Sequence, residues 1–135
     1  AGNSGIIYHV SEDHDAPYLT GPEYQLIDDL GYPDKLEDWQ KSGADYAMYA
    51  PASIAAKPVG EYNHTKIIFN NGHVEHWLNG VKVVEFQAWT DDWKDRKAIS
   101  KWKDEAGYGM NKTGMLDLQD HGSEIWFRDI KIRPL

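Results

Sequence analysis

TKIIFNNGHVEHWLNGVKVVEF, residues Thr65–Phe86, decides the fold. Thr65 to Phe69 is β-branched and aromatic, and Asn71-Gly72 is the residue pair that a two-residue type I′ turn demands. His73 to Leu78 returns along it, Asn79-Gly80 repeats the turn, and Val81 to Phe86 runs back again. The pattern predicts a three-strand antiparallel meander. The turns set the register, with Asn70 opposite His73 and Leu78 opposite Val81. On an unbroken ladder, Ile67, Phe69, Val74, His76, Leu78, Val81 and Val83 share one face, the expected core face. Lys66, Ile68, Glu75, Trp77, Lys82, Val84 and Phe86 share the other. His76 is then either a core histidine with both nitrogens satisfied or a group at the end of a lined cleft.

Working outward, GMLDLQDHGSEIWFRDIKIRPL (Gly114–Leu135) reads as a hairpin. Leu116 and Leu118 alternate with Asp117, Gln119 and His121 at the period of a strand. Asp120-His121-Gly122-Ser123 turns the chain, and Glu124 to Ile132 reads as the return strand. Gln119 and His121, two apart, point the same way about 7 Å apart. That geometry suits a polar binding site and equally suits a solvated sheet face. Ile125, Trp126 and Phe127 cover both faces, and Arg128 follows on the Trp126 side. Gly5 to Val10 and Glu23 to Asp28 read as further strands, with Tyr24 and Leu26 on one face of the second and Glu23 and Gln25 on the other. Gly43 to Ala50 reads as a short strand ended by Pro51. Loops occupy Ser11 to Pro22, Leu30 to Lys41 and Ala52 to Gly60, each punctuated by Gly and Pro. Thr90 is an N-cap ahead of Asp91 and Asp92, so one or two short helices are expected from Asp91 to about Glu105, with Trp93 and Trp102 over the rim of the sandwich. The whole predicts an all-β, antiparallel two-sheet sandwich of jelly-roll or lectin-like type.

The 135 residues match one domain, 1–135, by size. The charge of −8, from 14 Lys and Arg against 22 Asp and Glu, with no basic cluster, argues against a nucleic-acid partner. No apolar run approaches the ~20 residues of a membrane span. The absence of cysteine excludes disulfides, thiolate catalysis and zinc-cysteine sites. Six Trp and eight Tyr suit sugar rings, which stack on aromatic faces, and suit sandwich cores as well. The chain enters strand pattern almost at once, at Ile6-Ile7-Tyr8, so an edge strand is expected to precede it, and an unpaired edge would favour a homodimer by sheet extension.

GPEYQLIDD (Gly21–Asp29), KSGADYAMYAP (Lys41–Pro51), EYNHTKIIFNNGHVEHWLNGVKVVEF (Glu61–Phe86) and LQDHGSEIWFRDIKIRPL (Leu118–Leu135) together resemble the 3-keto-disaccharide hydrolase family. The likeness spans nearly the whole chain in the right order. It implies a concanavalin-like jelly roll, secreted or periplasmic in bacteria, that cleaves glycosidic bonds of sugars oxidised at C3. It also implies further strands before the segment matching Asn3-Ser4-Gly5-Ile6. The polar positions inside the matched motifs are Glu23, Gln25, Asp28, His76, Trp77, Gln119, His121 and Arg128.

A C3 ketone acidifies the C2 proton; a base removes it, the C1 leaving group is expelled, and water adds back. This needs a base, a donor to the enolate oxygen and an acid for the leaving group. Glu23 or His121 is the expected base, Arg128 or Gln119 the enolate donor and His76 the acid, with Gln25, Asp28 and Trp77 binding substrate. A two-carboxylate glycosidase would pair Glu23 with Glu75, but the meander register sets Glu75 on the face away from the core. No cofactor is expected. Asp28, His76, Asp120 and His121 offer ligands for a divalent metal, although no close-spaced ligand motif is present. The non-enzymatic alternative is a carbohydrate-binding, lectin-like module.

Overall fold

The computed structural model describes residues 1–135. Its strands are β1 (Asn3–Val10), β2 (Glu23–Ile27), β3 (Thr65–Asn70), β4 (His73–Leu78), β5 (Val81–Gln87) and β6 (Met115–Leu118), with one helix, α1 (Asp91–Ile99). They form two antiparallel three-stranded sheets, ordered β2-β1-β6 and β3-β4-β5. This is the all-β two-sheet sandwich that the turn pattern predicts. No helix is long and apolar enough to cross a membrane.

Both Asn-Gly turns form as expected. Asn71 and Gly72 have φ of 49° and 83°, and Asn79 and Gly80 have 51° and 83°. Positive φ at both central positions is the type I′ signature, and its twist matches that of the flanking strands. Asn70 pairs with His73 and Leu78 with Val81. The faces differ from the expectation in one respect. The register shifts between His76, opposite Val84, and Trp77, opposite Lys82, so Val83 is an extra residue on β5. This bulge turns Val84 and Phe86 onto the face of Val74 and His76. Val83, Val84 and Phe86 are therefore all buried, while Val81 is 44% exposed.

The core fills the space between the sheets. Tyr8 of β1 meets Val74, Val84 and Phe86 of the meander, and Met48, Trp93, Trp102 and Tyr108 close one end. Each fully buried Val or Leu, such as Val74 and Leu78, contributes about 1.5–3 kcal/mol by leaving water. Trp102 stacks on Tyr108 at 4.6 Å between ring centroids.

Helix α1 starts where the sequence places it: the Thr90 hydroxyl accepts the Trp93 N–H. It ends at Ile99 rather than near Glu105. The Ser100 hydroxyl donates to the Lys97 carbonyl and accepts the Trp102 N–H, and these bonds redirect the chain into turns. Lys97 Nζ donates to the Ala106 and Tyr108 carbonyls and ties those turns to the helix.

Two expected strands are replaced. Within Gly43 to Ala50, only the first part pairs with β2, through Gly43 N–H to Gln25 O, Gln25 N–H to Ala44 O and Tyr46 N–H to Glu23 O. Asp45 to Tyr49 then closes a tight turn, with Ala47 at φ 65°. Glu124 to Ile132 forms no strand. An extended segment becomes a strand only with a ladder partner, and none lies beside this one, which leaves Trp126 71% exposed.

Candidate functional site

Register gathers the polar positions of β1, β2 and β6. Glu23 pairs with Ile7 and Gln25 with Gly5, so both side chains leave the sheet on the side of Gly5, away from Tyr8 and Tyr24. Gln119, just beyond β6, donates its N–H to the Gly5 carbonyl at 2.9 Å. Its carbonyl accepts the Ser4 hydroxyl at 2.7 Å. Asp117 lies opposite Ile7, so the same ladder sets Gln119 across from Gly5, on the face of Glu23 and Gln25. Gln25 Nε2 donates to Asn3 Oδ1 at 3.2 Å, which fixes that carboxamide.

Gly5 makes this arrangement possible. A Cβ there would stand 2.2 Å from Glu23 Oε1 and 2.7 Å from its carboxyl carbon. A glycine inside a strand often marks such a close approach, and here the carboxyl lies over the bare backbone of β1. Glu23 is only 5% exposed and Gln25 3%. No hydrogen bond offsets the desolvation of the Glu23 carboxyl, and burial pushes its pKa up to about 7, against a smaller downward pull from the Lys101 ammonium. Lys101 Nζ lies 4.8 Å from the Tyr46 ring centre and 4.6 Å from that of Trp102.

Behind this face, in the core, is a second polar group. His76 is fully buried. Its Nδ1–H donates to the Gly43 carbonyl at 2.9 Å, and its Nε2 accepts the Tyr8 hydroxyl at 3.0 Å. Burial depresses its pKa to about 4. Asp45 is also fully buried; Oδ1 accepts the Tyr108 hydroxyl at 3.3 Å and Oδ2 has no partner. Burial raises its carboxyl well above the ordinary range.

The eight positions drawn from the sequence therefore separate. Glu23, Gln25 and Gln119 share one face. His76 is a satisfied core histidine, neutral near pH 7, with its one N–H committed to Gly43. Asp28 Oδ1 accepts the N–H groups of Leu30 and Gly31, so this carboxylate closes a turn. Trp77 lies on the outer face of the other sheet, under Lys66 Nζ at 4.3 Å. Arg128 stacks on Tyr62 at 3.8 Å. His121 is exposed in the turn after β6, where Asp120 Oδ1 accepts the Gly122 N–H. The four residues considered for a metal, Asp28, His76, Asp120 and His121, are dispersed among core, turns and surface. Sequence reasoning missed Gly5, Lys101 and Asp45. Only Gly5 carried a signal, as a glycine within a strand.

The profile of a family described as a 3-keto-alpha-glucoside-1,2-lyase-like domain matches residues 1–133. A Bacteroides thetaiotaomicron protein named 3-keto-disaccharide hydrolase is 34% identical, over 99% of this chain and 54% of its own length. A Parabacteroides distasonis crystal structure, named as a candidate glycosyl hydrolase, superimposes with a TM-score of 0.83 at 49% identity, covering 90% of this chain and 60% of that one. A second from the same organism, named likewise, gives 0.58 at 28% identity, covering 64% and 44%. The chain spans about half the length of the curated relative that it matches.

Proposed function

Because the chain belongs to the 3-keto-alpha-glucoside-1,2-lyase-like family, we propose that it acts on carbohydrate and cleaves the glycosidic bond of a 3-keto-glycoside, with Glu23 as the base. One observation carries this reading. A nearly buried carboxyl with no hydrogen bond, and a pKa of about 7, sits over Gly5 on the face that also holds Gln25 and Gln119. A catalytic base works best when its pKa lies near the operating pH, and perturbed carboxyls concentrate at functional sites.

The chemistry follows from the ketone. Glu23 takes the C2 proton, the C–H electron pair passes toward the C3 oxygen, and an enolate forms. The carboxamide N–H groups of Gln25 and Gln119 donate to that oxygen, and the Lys101 charge lowers the energy of the developing anion. The enolate pair then forms the C1–C2 double bond while the C1–O bond breaks, and the departing oxygen takes a proton from solvent. Addition of water across the double bond, hydroxyl to C1 and the proton from Glu23 back to C2, regenerates the carboxylate and completes a net hydrolysis.

The test is release of 4-nitrophenol from its 3-keto-glucoside, with the unoxidised glucoside as control. Cleavage confined to the ketone, and about 10²–10⁴-fold slower in Glu23→Gln, supports the assignment. Equal cleavage of both glycosides removes the elimination chemistry. Binding of either glycoside with no product returns the lectin-like reading.

A further inference from the structure

We propose that His73, Glu75 and Glu85, on the solvent-facing side of the meander, form a binding site for a divalent transition-metal cation, with Zn²⁺ the best match. It lies on the sheet that does not hold Glu23, and it stands independently of the glycosidase reading.

The donors come from rigid positions. His73 and Glu75 are two apart on β4 and so share a face, and Glu85 of β5 pairs directly with Glu75. One ligand atom from each lies within 4.8 Å of the others. His73 Nε2 is 3.2 Å from Glu75 Oε1 and 3.3 Å from Glu85 Oε1. For bonds of ~2.1 Å, typical of zinc to nitrogen and oxygen, a tetrahedral edge is about 3.4 Å. Both separations from His73 therefore match that edge.

The outer oxygens are already held. Trp77 Nε1 donates to Glu75 Oε2 at 2.6 Å, and Lys82 Nζ donates to Glu85 Oε2. Each carboxylate is thus anchored through one oxygen and turns the other toward His73, as outer partners orient ligands in metal centres. One imidazole and two carboxylates form a mixed nitrogen–oxygen set suited to Zn²⁺, Co²⁺ or Mn²⁺. The His73 and Glu85 side chains are 41% and 44% exposed, so the fourth tetrahedral position opens to water. An open position separates this arrangement from a closed structural site.

The test uses the whole chain, stripped with chelator, titrated with Zn²⁺ by calorimetry and with Co²⁺ by visible absorption. One ion per chain is expected, with His73→Ala and Glu85→Gln each weakening binding at least tenfold. Trp77→Phe, which frees Glu75, should weaken it about tenfold. Lys82→Met, which frees Glu85 in the same way, should also weaken it. Absence of one-to-one binding, or indifference to His73→Ala and Glu85→Gln, overturns the proposal. Circular dichroism confirms that each variant is folded.

Discussion

The Tyr8 hydroxyl donates to His76 Nε2 at 3.0 Å, joining β1 of one sheet to β4 of the other through the core. The opposite nitrogen of the same ring donates to the Gly43 carbonyl at 2.9 Å. Tyr8→Phe keeps the ring and orphans a fully buried acceptor, which costs about 1–3 kcal/mol. Urea unfolding at pH 7 should show that loss, while kcat on a 3-keto-glycoside stays within a few-fold of the parent. A large fall in kcat with unchanged stability would place His76 in the chemistry instead.

His76 also makes the fold acid-sensitive. Its pKa is about 4 in the folded chain against 6.5 for the free side chain, so between those values the unfolded chain binds a proton that the folded chain does not. The stability is complete above about pH 6.5 and falls as pH drops toward 4, by about 3 kcal/mol at 1.36 kcal/mol per unit. His76→Gln can accept from Tyr8 and donate to Gly43 without titrating. The urea midpoint of this variant should change less than the parent's between pH 7 and pH 4.5.

Glu23 acts in the opposite direction. Its folded pKa of about 7 exceeds the ordinary 4.5, so the folded chain holds a proton that the unfolded chain has released. Stability from the neutral carboxyl is complete below about pH 4.5 and is lost as pH rises through 7. Glu23→Gln should match the parent near pH 4.5 and exceed its stability by about 2–3 kcal/mol at pH 8, while turnover collapses. A stabilised but inactive variant is the pattern expected of a functional carboxyl; equal stability at both pH values would refute the raised pKa.

How far the sequence foretold this arrangement depends on how local each cause is. The meander was legible because Asn-Gly pairs at 71–72 and 79–80 dictate turn type, and turn type dictates register. The shared side of Glu23 and Gln25 was legible from strand alternation. The bulge at Val83 was not, because Val83 and Val84 are equally at home on either face and no glycine marks the extra residue. Asp28 read as a site acid because a carboxylate that closes a turn looks identical in sequence to one that grips a ligand. Ile125-Trp126-Phe127 read as a strand because composition reports a willingness to pair, and the partner has to be supplied by tertiary structure. Lys101 acts on Glu23 from the turns that follow Ser100, a position no local pattern announces.

Burial favours the neutral form of Asp45 in the folded protein. Burial raises its pKa well above the ordinary range, with the Tyr108 hydroxyl pulling the other way. An amide has the same shape and carries no charge to desolvate. Asp45→Asn should therefore match the parent's melting temperature near pH 4 and exceed it at pH 7, where the unfolded chain has released the proton that the folded chain favours keeping. A large drop at pH 7 that is absent near pH 4, seen by calorimetry, would mean that Asp45 is charged and paired.

Gly5→Ala tests the proposed site through its seat rather than its acid. The added methyl would fall 2.2 Å from Glu23 Oε1, and the only atoms so close belong to the far end of a side chain with rotatable bonds. The backbone of β1 has no need of positive φ at this position, so alanine suits the strand itself. The carboxyl therefore yields rather than the sheet. Displacing a catalytic group by about 1 Å can lower a rate 10²-fold, whereas moving a buried carboxyl out of its seat relieves its desolvation. Gly5→Ala should lose most of kcat, keep its unfolding midpoint near that of the parent at pH 7, and return the group that controls the pH–rate profile toward ordinary carboxylate values. Unaltered kcat with the same profile would separate Glu23 from the reaction.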